Sequence, residues 1–334
     1  MLPGMESDPT MAVVHEGLFA CPGARLGHAG DATVGTGCSL VLMDRPARYA
    51  VHVGGGASSL RQVAAVFAGH SVTMADAFLV AGGSAYGLDA AGGVLRALEA
   101  LGRGTPVGRM VVPAVPAAAV FDLFVGTTRP DAAMGAVAVA DARTDDVREG
   151  RVGAGSGCTV GKLLGLDRAM WGGVGVATLR WPDGLAVAAL AVVNAFGNVR
   201  DPVRGAFVAG ARDGAGGFVD AEDALQAGWM GLASGTAGQN TTIGVVVTNG
   251  RLDGVGCHRA AALAAIALPD CIRPCWTGVD GDVVFLGATG DVAADPHQVG
   301  VGARRALERA IVRAVTAANA GGGTPGEAPA WGKA

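Results

Sequence analysis

Lysine is nearly missing from this chain: Lys162 and Lys333 stand against twenty-three arginines in 334 residues. Aromatic residues are also scarce, at 5%, and the formal net charge is only −4. So few aromatics leave little for base stacking, and a weakly acidic balance gives no basic footprint, so nucleic acid is not an expected partner. Half the residues are hydrophobic and the mean hydropathy is +0.39, yet no run of eighteen or more apolar residues occurs. A membrane-spanning helix is therefore not expected. Residues 1–30 lack a basic stretch leading into an apolar one, so no export signal is read and a cytoplasmic location is expected. The six cysteines are then expected as free thiols. Cys271-x-x-x-Cys275 and Cys257-His258 match no closed zinc site, and no histidine falls in an HExxH pattern. No metal or organic cofactor is expected.

Glycine, at 56 residues, is abundant and punctuates short apolar runs, which points to tight turns and close backbone approach in an α/β fold. Mixed strands and helices predict a layered mixed sheet with flanking helices, built as a single domain over residues 1–334. Residues 39–44 and 49–54 read as a strand pair, 60–68 as a short helix, and 77–81 as a strand followed by a helix over 88–101. Residues 116–124 read as a helix opened by proline, and 141–150 as a charged surface loop. Residues 172–180 and 185–195 read as strands joined by the turn Trp181-Pro182-Asp183-Gly184. Residues 198–233 read as a long, partly mobile connection. Beyond it come a strand from Thr241, a helix over 255–268, a strand over 282–286 and a helix over 302–318. Residues 321–334 read as a disordered tail.

Three familiar motifs fail on inspection. A P-loop ending at Lys162 would need glycine at 156 and a hydroxyl residue at 163, where the chain has Ser156 and Leu163. Around Ser84 a nucleophile elbow would need glycine at 86, which is Tyr86. A dinucleotide fingerprint over the same run would need glycine at 84.

The most informative stretch is Asn240-Thr241-Thr242-Ile243, which follows a small, flexible run over 233–239 and opens an apolar strand. A strand that begins on a hydroxyl residue after a disposable loop is the sequence form of a self-cleaving N-terminal nucleophile. If the Asn240–Thr241 bond breaks, Thr241 carries a free α-amine beside its own hydroxyl, so that base and nucleophile share one residue. The plainer alternative is a strand that starts with threonines because β-branched residues suit pleated backbone. Other positions favour the catalytic reading. Lys162 is the one lysine in the body of the chain and closes the glycine-rich run from Gly153, where a compact ammonium rather than a guanidinium is called for. Asn194 is an amide within an apolar strand, either an oxyanion donor or a strand-end cap. Asp280-Gly281-Asp282 places two carboxylates at a strand entry, either a plain turn or a pair that orients Thr241.

In these runs the chain resembles the L-aminopeptidase/D-amidase-esterases, whose relatives include β-peptidyl aminopeptidases and nylon-oligomer (6-aminohexanoate oligomer) hydrolases. The runs that carry the resemblance are Thr36-Gly37-Cys38, Gly82-Gly83-Ser84-Ala85-Tyr86-Gly87-Leu88-Asp89-Ala90, Val112-Pro113-x-x-Pro116-Ala117-Ala118-x-x-Phe121-Asp122, Arg129-Pro130-Asp131, Gly153 to Lys162, Val193-Asn194-Ala195, Asn240-Thr241-Thr242-Ile243 and Asp280-Gly281-Asp282. They keep family order across residues 25–320.

The resemblance implies a DmpA-like fold of the N-terminal-nucleophile type and a precursor that cleaves itself into chains 1–240 and 241–334. It implies Thr241 as nucleophile, Lys162 and Asn194 as transition-state support, and Asp280 and Asp282 as the groups that orient the nucleophile. It further implies amide hydrolysis of small peptides or amides and a homotetramer of processed pairs. A threonine nucleophile with two aspartates is similar to the nylon-oligomer hydrolases, whereas the peptidase members carry serine with a Ser/Glu pair. Phe121 stands where the nylon-oligomer hydrolases have a tyrosine. A non-catalytic scaffold of the same fold is the alternative from another functional class.

Overall fold

The apolar runs show little alternation because their strands are covered on both faces. Every residue of the strand Ala186–Asn194 is buried, and all but the last residue of Thr241–Arg251. The computed structural model describes residues 12–66, 70, 73–126, 128–229, 240–323 and 325. Among them a ten-stranded mixed sheet forms the centre. Its strands are β1 (Val13–Glu16), β2 (Ala24–Ala29), β3 (Cys38–Val53), β4 (Ser59–Arg61), β5 (Met74–Ala81), β6 (Ala117–Ala119), β7 (Gly173–Arg180), β8 (Ala186–Asn194), β9 (Thr241–Arg251) and β10 (Val283–Ala293). They run in the order β1-β7-β8-β9-β10-β3-β5-β6-β4, with β2 also on β3. The pairs β9–β10 and β5–β6 are parallel; the rest are antiparallel.

Among the described residues the α-helices are α1 (Ala90–Ala100), α2 (Ala132–Asp141), α3 (Ala221–Gln226), α4 (Gly254–Ala265), α5 (Ala267–Cys271) and α6 (Pro296–Asn319). Three large apolar clusters define the layers. Alternate residues of β8 (Val187, Ala189, Ala191, Val193) pack under α4 and α6. The intervening residues (Ala188, Leu190, Val192) face Val41 and Met43 of β3 and Phe78 and Val80 of β5. Leu40 and Leu42 of β3, on the opposite side, pack against Ala90, Val94 and Leu98 of α1 and Ala138 and Val139 of α2. The sheet thus folds over on itself around the middle cluster, and helices cover both outer faces.

Several expectations need correction. The two strands read over 39–44 and 49–54 are one long strand, Cys38–Val53, with Gly54 beyond its end. Arg45-Pro46 is absorbed by a register shift between Leu42 and Ala47 in the pairing with β5, as a proline without an N–H requires. The segment read as a helix over 60–68 holds part of β4 and a single 3₁₀ turn, Ala64–Val66, and residues 67 and 68 lie outside the described ones. The helix read over 116–124 is absent. Ala117–Ala119 is a buried strand between β5 and β4, where edge pairing outweighs alanine's helix propensity. In the charged segment 141–150, Asp146 is buried, because Arg148 pairs with both Asp141 and Asp146.

The connection over 198–233 contains two strands, Asn198–Asp201 and Ala206–Ala209, as well as α3. Residues 230–239, including the small run before Asn240, lie outside the described residues, as does most of the tail. The last helix starts at Pro296 rather than 302, capped by the Asp295 side chain.

Candidate active site

Strand direction brings the expected residues together. β8 runs antiparallel to β9, so its last residue, Asn194, stands opposite Thr241, the first residue of β9. β10 runs parallel to β9, and its entry therefore lies at the same end: Ile243 pairs with Val283, and Asn240 forms a bridge with Asp280. A parallel neighbour needs a crossover, which α4 and α5 supply. Asn194, Thr241, Asp280 and Asp282 thus meet at one end of three central strands, all buried.

Lys162 reaches the same point from the glycine-rich turn. Gly161 is left-handed, with φ of 69°, and a Cβ there would strike the Gly210 backbone at 2.1 Å. The Lys162 Nζ donates to the carbonyl oxygens of Thr159 (2.8 Å), Asn194 (2.9 Å) and Ala195 (3.1 Å). All three ammonium protons are therefore engaged. Burial draws its pKa down to about 7, against the opposing fields of Cys158, Asp280 and Asp282. The Asn194 side chain is clamped as well. Its Oδ1 accepts from the Thr159 backbone N–H at 3.0 Å and its Nδ2 donates to the Phe121 carbonyl at 2.8 Å.

The two aspartates hold different things. Asp282 Oδ1 accepts the Thr242 N–H at 2.6 Å, which fixes the chain one residue past Thr241. Its Oδ2 accepts from the Cys275 thiol at 3.3 Å and the Trp276 N–H at 3.4 Å. Asp280 Oδ2 accepts from the Thr277 N–H (2.8 Å) and hydroxyl (2.6 Å). Burial, and then the charge of Asp280, push the Asp282 carboxyl up to about 7; burial raises Asp280 too. Removing the Asp280 charge should thus lower the pKa of Asp282. We expect the acid limb of the pH–rate profile to lie well above the ordinary carboxylate range in the parent and to move to lower pH in Asp280→Asn. An unmoved limb would show that another group titrates there.

At the centre, the Thr241 Oγ1 donates to the carbonyl oxygen of the preceding residue, Asn240, at 2.5 Å. The same oxygen accepts the Gly281 N–H at 2.7 Å. The Asn240 side-chain amide and the Thr242 hydroxyl are buried with no hydrogen-bond partner among the described residues.

Sequence reasoning missed Cys275, Thr159 and Asp122. Cys275 was weighed only as a metal ligand, and its nearness to Asp280–Asp282 in the chain was the available signal. Asp122 accepts from the Thr36 hydroxyl (2.7 Å) and the Gly83 N–H (2.6 Å), and burial raises its pKa to about 6. A Cβ on Gly82 would sit 2.1 Å from that carboxylate. The motif runs at residues 36, 82–83 and 121–122 therefore form one buried cross-brace, whose Phe121 carbonyl holds Asn194. A recess lined by Phe121, Phe124, Val125, Leu166, Thr159 and Lys162 adjoins this brace.

A buried hydroxyl against a backbone carbonyl, on the first residue of a central strand and flanked by a lysine, an amide and two carboxylates, belongs to a hydrolase of peptide or amide bonds. Residues 18–328 match peptidase family S58, and the chain belongs to that family. It is 41% identical over 314 residues to an uncharacterised aminopeptidase of Mycobacterium bovis, covering 89% of this chain and 88% of that protein. It is 32% identical over 282 residues to a 6-aminohexanoate-oligomer endohydrolase of a Kocuria species, covering 82% of this chain and 75% of that protein.

Among solved structures, the L-aminopeptidase D-Ala-esterase/amidase of Ochrobactrum anthropi, described as a variant of the Ntn hydrolase fold, superposes with a TM-score of 0.67 at 15% identity. The match covers 96% of this chain and 92% of that one. A Burkholderia β-aminopeptidase gives 0.62 at 22% identity, covering 88% and 84%. The layered mixed sheet is thus of the Ntn-hydrolase type. No helix among the described residues is long and apolar enough to cross a membrane.

Proposed function

We propose that this chain is a precursor that cuts itself between Asn240 and Thr241 and then works as an N-terminal threonine aminopeptidase or amidase. The observation that carries this reading is the contact of the Thr241 hydroxyl with the carbonyl of its own preceding peptide bond, in a buried setting. The products are a large chain, 1–240, and a small chain, 241–334, within one domain. In the mature enzyme the Thr241 α-amine, with a reference pKa of about 7.7–8.0, takes the hydroxyl proton at neutral pH. The hydroxyl then attacks a substrate amide, and the acyl-enzyme is cleared by water.

Asp282 anchors the Thr242 N–H, and Asp280 braces the turn before β10; together they orient Thr241. Lys162 holds the carbonyls at the end of β8, and so the position of Asn194 opposite the nucleophile.

Small peptides with a free amino terminus are the substrate class we favour, in line with the 41%-identical aminopeptidase. The Thr241, Asp280 and Asp282 set, together with the 32%-identical endohydrolase, favours aminohexanoate oligomers as a second reading. A hydrolysis screen over aminoacyl p-nitroanilides, β-peptides and aminohexanoate oligomers separates the two. Turnover of none of these, in a chain that remains whole on denaturing electrophoresis, would leave a non-catalytic scaffold. We further propose a cytoplasmic homotetramer of processed pairs; light scattering at the mass of one large plus one small chain would overturn the tetramer.

A further inference from the structure

We infer that the backbone N–H of Gly281 is the oxyanion donor for self-cleavage, and that residue 281 must be glycine to leave the Thr241 hydroxyl its place. The inference rests on the proposed break after Asn240 and adds to it a residue with a stated role. The Asn240 carbonyl oxygen accepts two hydrogen bonds, from the Thr241 Oγ1 at 2.5 Å and from the Gly281 N–H at 2.7 Å. When Oγ1 adds to the carbonyl carbon, negative charge collects on that oxygen. The Oγ1 donor is lost in the same step, because it has become the attacking atom. The Gly281 N–H stays, already aimed at the oxygen that becomes the oxyanion.

The surrounding bonds make this donor rigid. Asn240 and Asp280 are bridged as parallel neighbours. The Asp280 carboxylate is held by Thr277, and the Asp280 carbonyl accepts the Ala57 N–H at 2.9 Å. On the other side, the Asp282 carbonyl accepts the Gly54 N–H at 3.0 Å and its carboxylate holds Thr242. The 280–282 turn is thus fastened on both sides of Gly281, so the donor need not move as charge develops. The Lys162 Nζ is engaged with three other carbonyls, and the Asn194 Nδ2 donates to Phe121.

The side chain that residue 281 lacks matters equally. A Cβ there would lie 2.6 Å from the Thr241 Oγ1 and 3.0 Å from the Ala57 carbonyl oxygen. Backbone cannot yield cheaply on one side, so the nucleophile would be displaced on the other.

The step balances without any outside reagent but water. The Oγ1–carbon bond forms and the carbon–nitrogen bond breaks, and the hydroxyl proton ends on the Thr241 nitrogen as it becomes an amine. Water then adds to the ester, the Oγ1–carbon bond breaks, Oγ1 regains a proton, and Asn240 leaves as a carboxylate. Its departure frees the Gly281 N–H beside the Thr241 Oγ1, where a substrate carbonyl can take the same position.

The test replaces Gly281 with glycolate by incorporation of the α-hydroxy acid, which exchanges the N–H for an ester oxygen and adds no atoms. We expect maturation to slow by about 10²–10³-fold, with glycolate at Gly278 as a control that matures at the parental rate. Gly281→Ala, which keeps the N–H and adds the Cβ, should remain uncleaved. A parent that never cleaves would sink self-cleavage itself. A parent that cleaves alongside a Gly281 glycolate chain of equal rate would overturn only the present inference. A second measurement needs no altered backbone: in full-length Thr241→Ala, the Gly281 amide proton should be protected from solvent exchange, and rapid exchange there would overturn the inference.

Discussion

Thr241→Ala will give a single full-length chain with no measurable turnover, while the parent separates into two chains whose smaller member begins Thr-Thr-Ile-Gly. The expected loss of activity is at least about 10⁴-fold, the order seen when a covalent nucleophile is removed and only binding and oxyanion donors remain. Folding should survive. The alanine retains the β9 backbone and gives up one hydroxyl hydrogen bond, worth about 1 kcal/mol. Thr241→Ser keeps a β-hydroxyl at the new N-terminus and should still cleave after Asn240, with turnover within roughly tenfold of the parent. Denaturing electrophoresis and N-terminal sequencing decide the matter. A small chain that starts at Thr242, or normal processing of the alanine variant, would transfer the role to another residue.

Lys162→Arg should lower kcat/KM at least tenfold, about 1.4 kcal/mol of transition-state stabilisation, where Lys333→Arg changes nothing. Three carbonyl oxygens converge on the Nζ at 2.8–3.1 Å, an arrangement that suits the three rotatable donors of an ammonium. A guanidinium is planar and bulkier and needs acceptors in a fork. The neighbouring Gly161 already touches the Gly210 backbone, so the turn cannot back away. Lys162→Met removes the charge and leaves those carbonyls short of a donor. Its cost should be about 3 kcal/mol, read as a fall of several degrees in Tm. A methionine variant with parental Tm and parental cleavage would reduce Lys162 to an incidental lysine.

The lysine shows how far residue type alone can be read. Its rarity raises the expectation that arginine would not replace it, and the three carbonyl acceptors around the Nζ are in keeping with that expectation. One acceptor, Thr159, lies three residues before the lysine, but Asn194 and Ala195 lie at and just past the end of β8, distant in sequence, and no spacing rule could name that pair. Asn194 is similar. A polar amide in an apolar strand was visible, but its clamp by Thr159 and Phe121 was not. The alanine-rich segment 117–119 was misread as a helix because its neighbours on either side, β5 and β4, are absent from its own local pattern. Asp146 was misplaced to the surface because the arginine that neutralises it, two residues on, makes a charged run self-sufficient when buried.

By itself the sequence determined the chemistry available. It holds a hydroxyl residue at a strand start, one retained lysine, a strand-end amide and two aspartates around a glycine, in an order that identifies the family. Local pattern is enough for this, since residue type and short-range spacing carry it. Only the tertiary structure decided that these groups meet. β8 ends where β9 begins because the two are antiparallel, and β10 enters at that same end because it is parallel to β9. Strand direction is a property of pairing between distant segments, and with it came the single carbonyl on which the Thr241 hydroxyl and the Gly281 N–H converge.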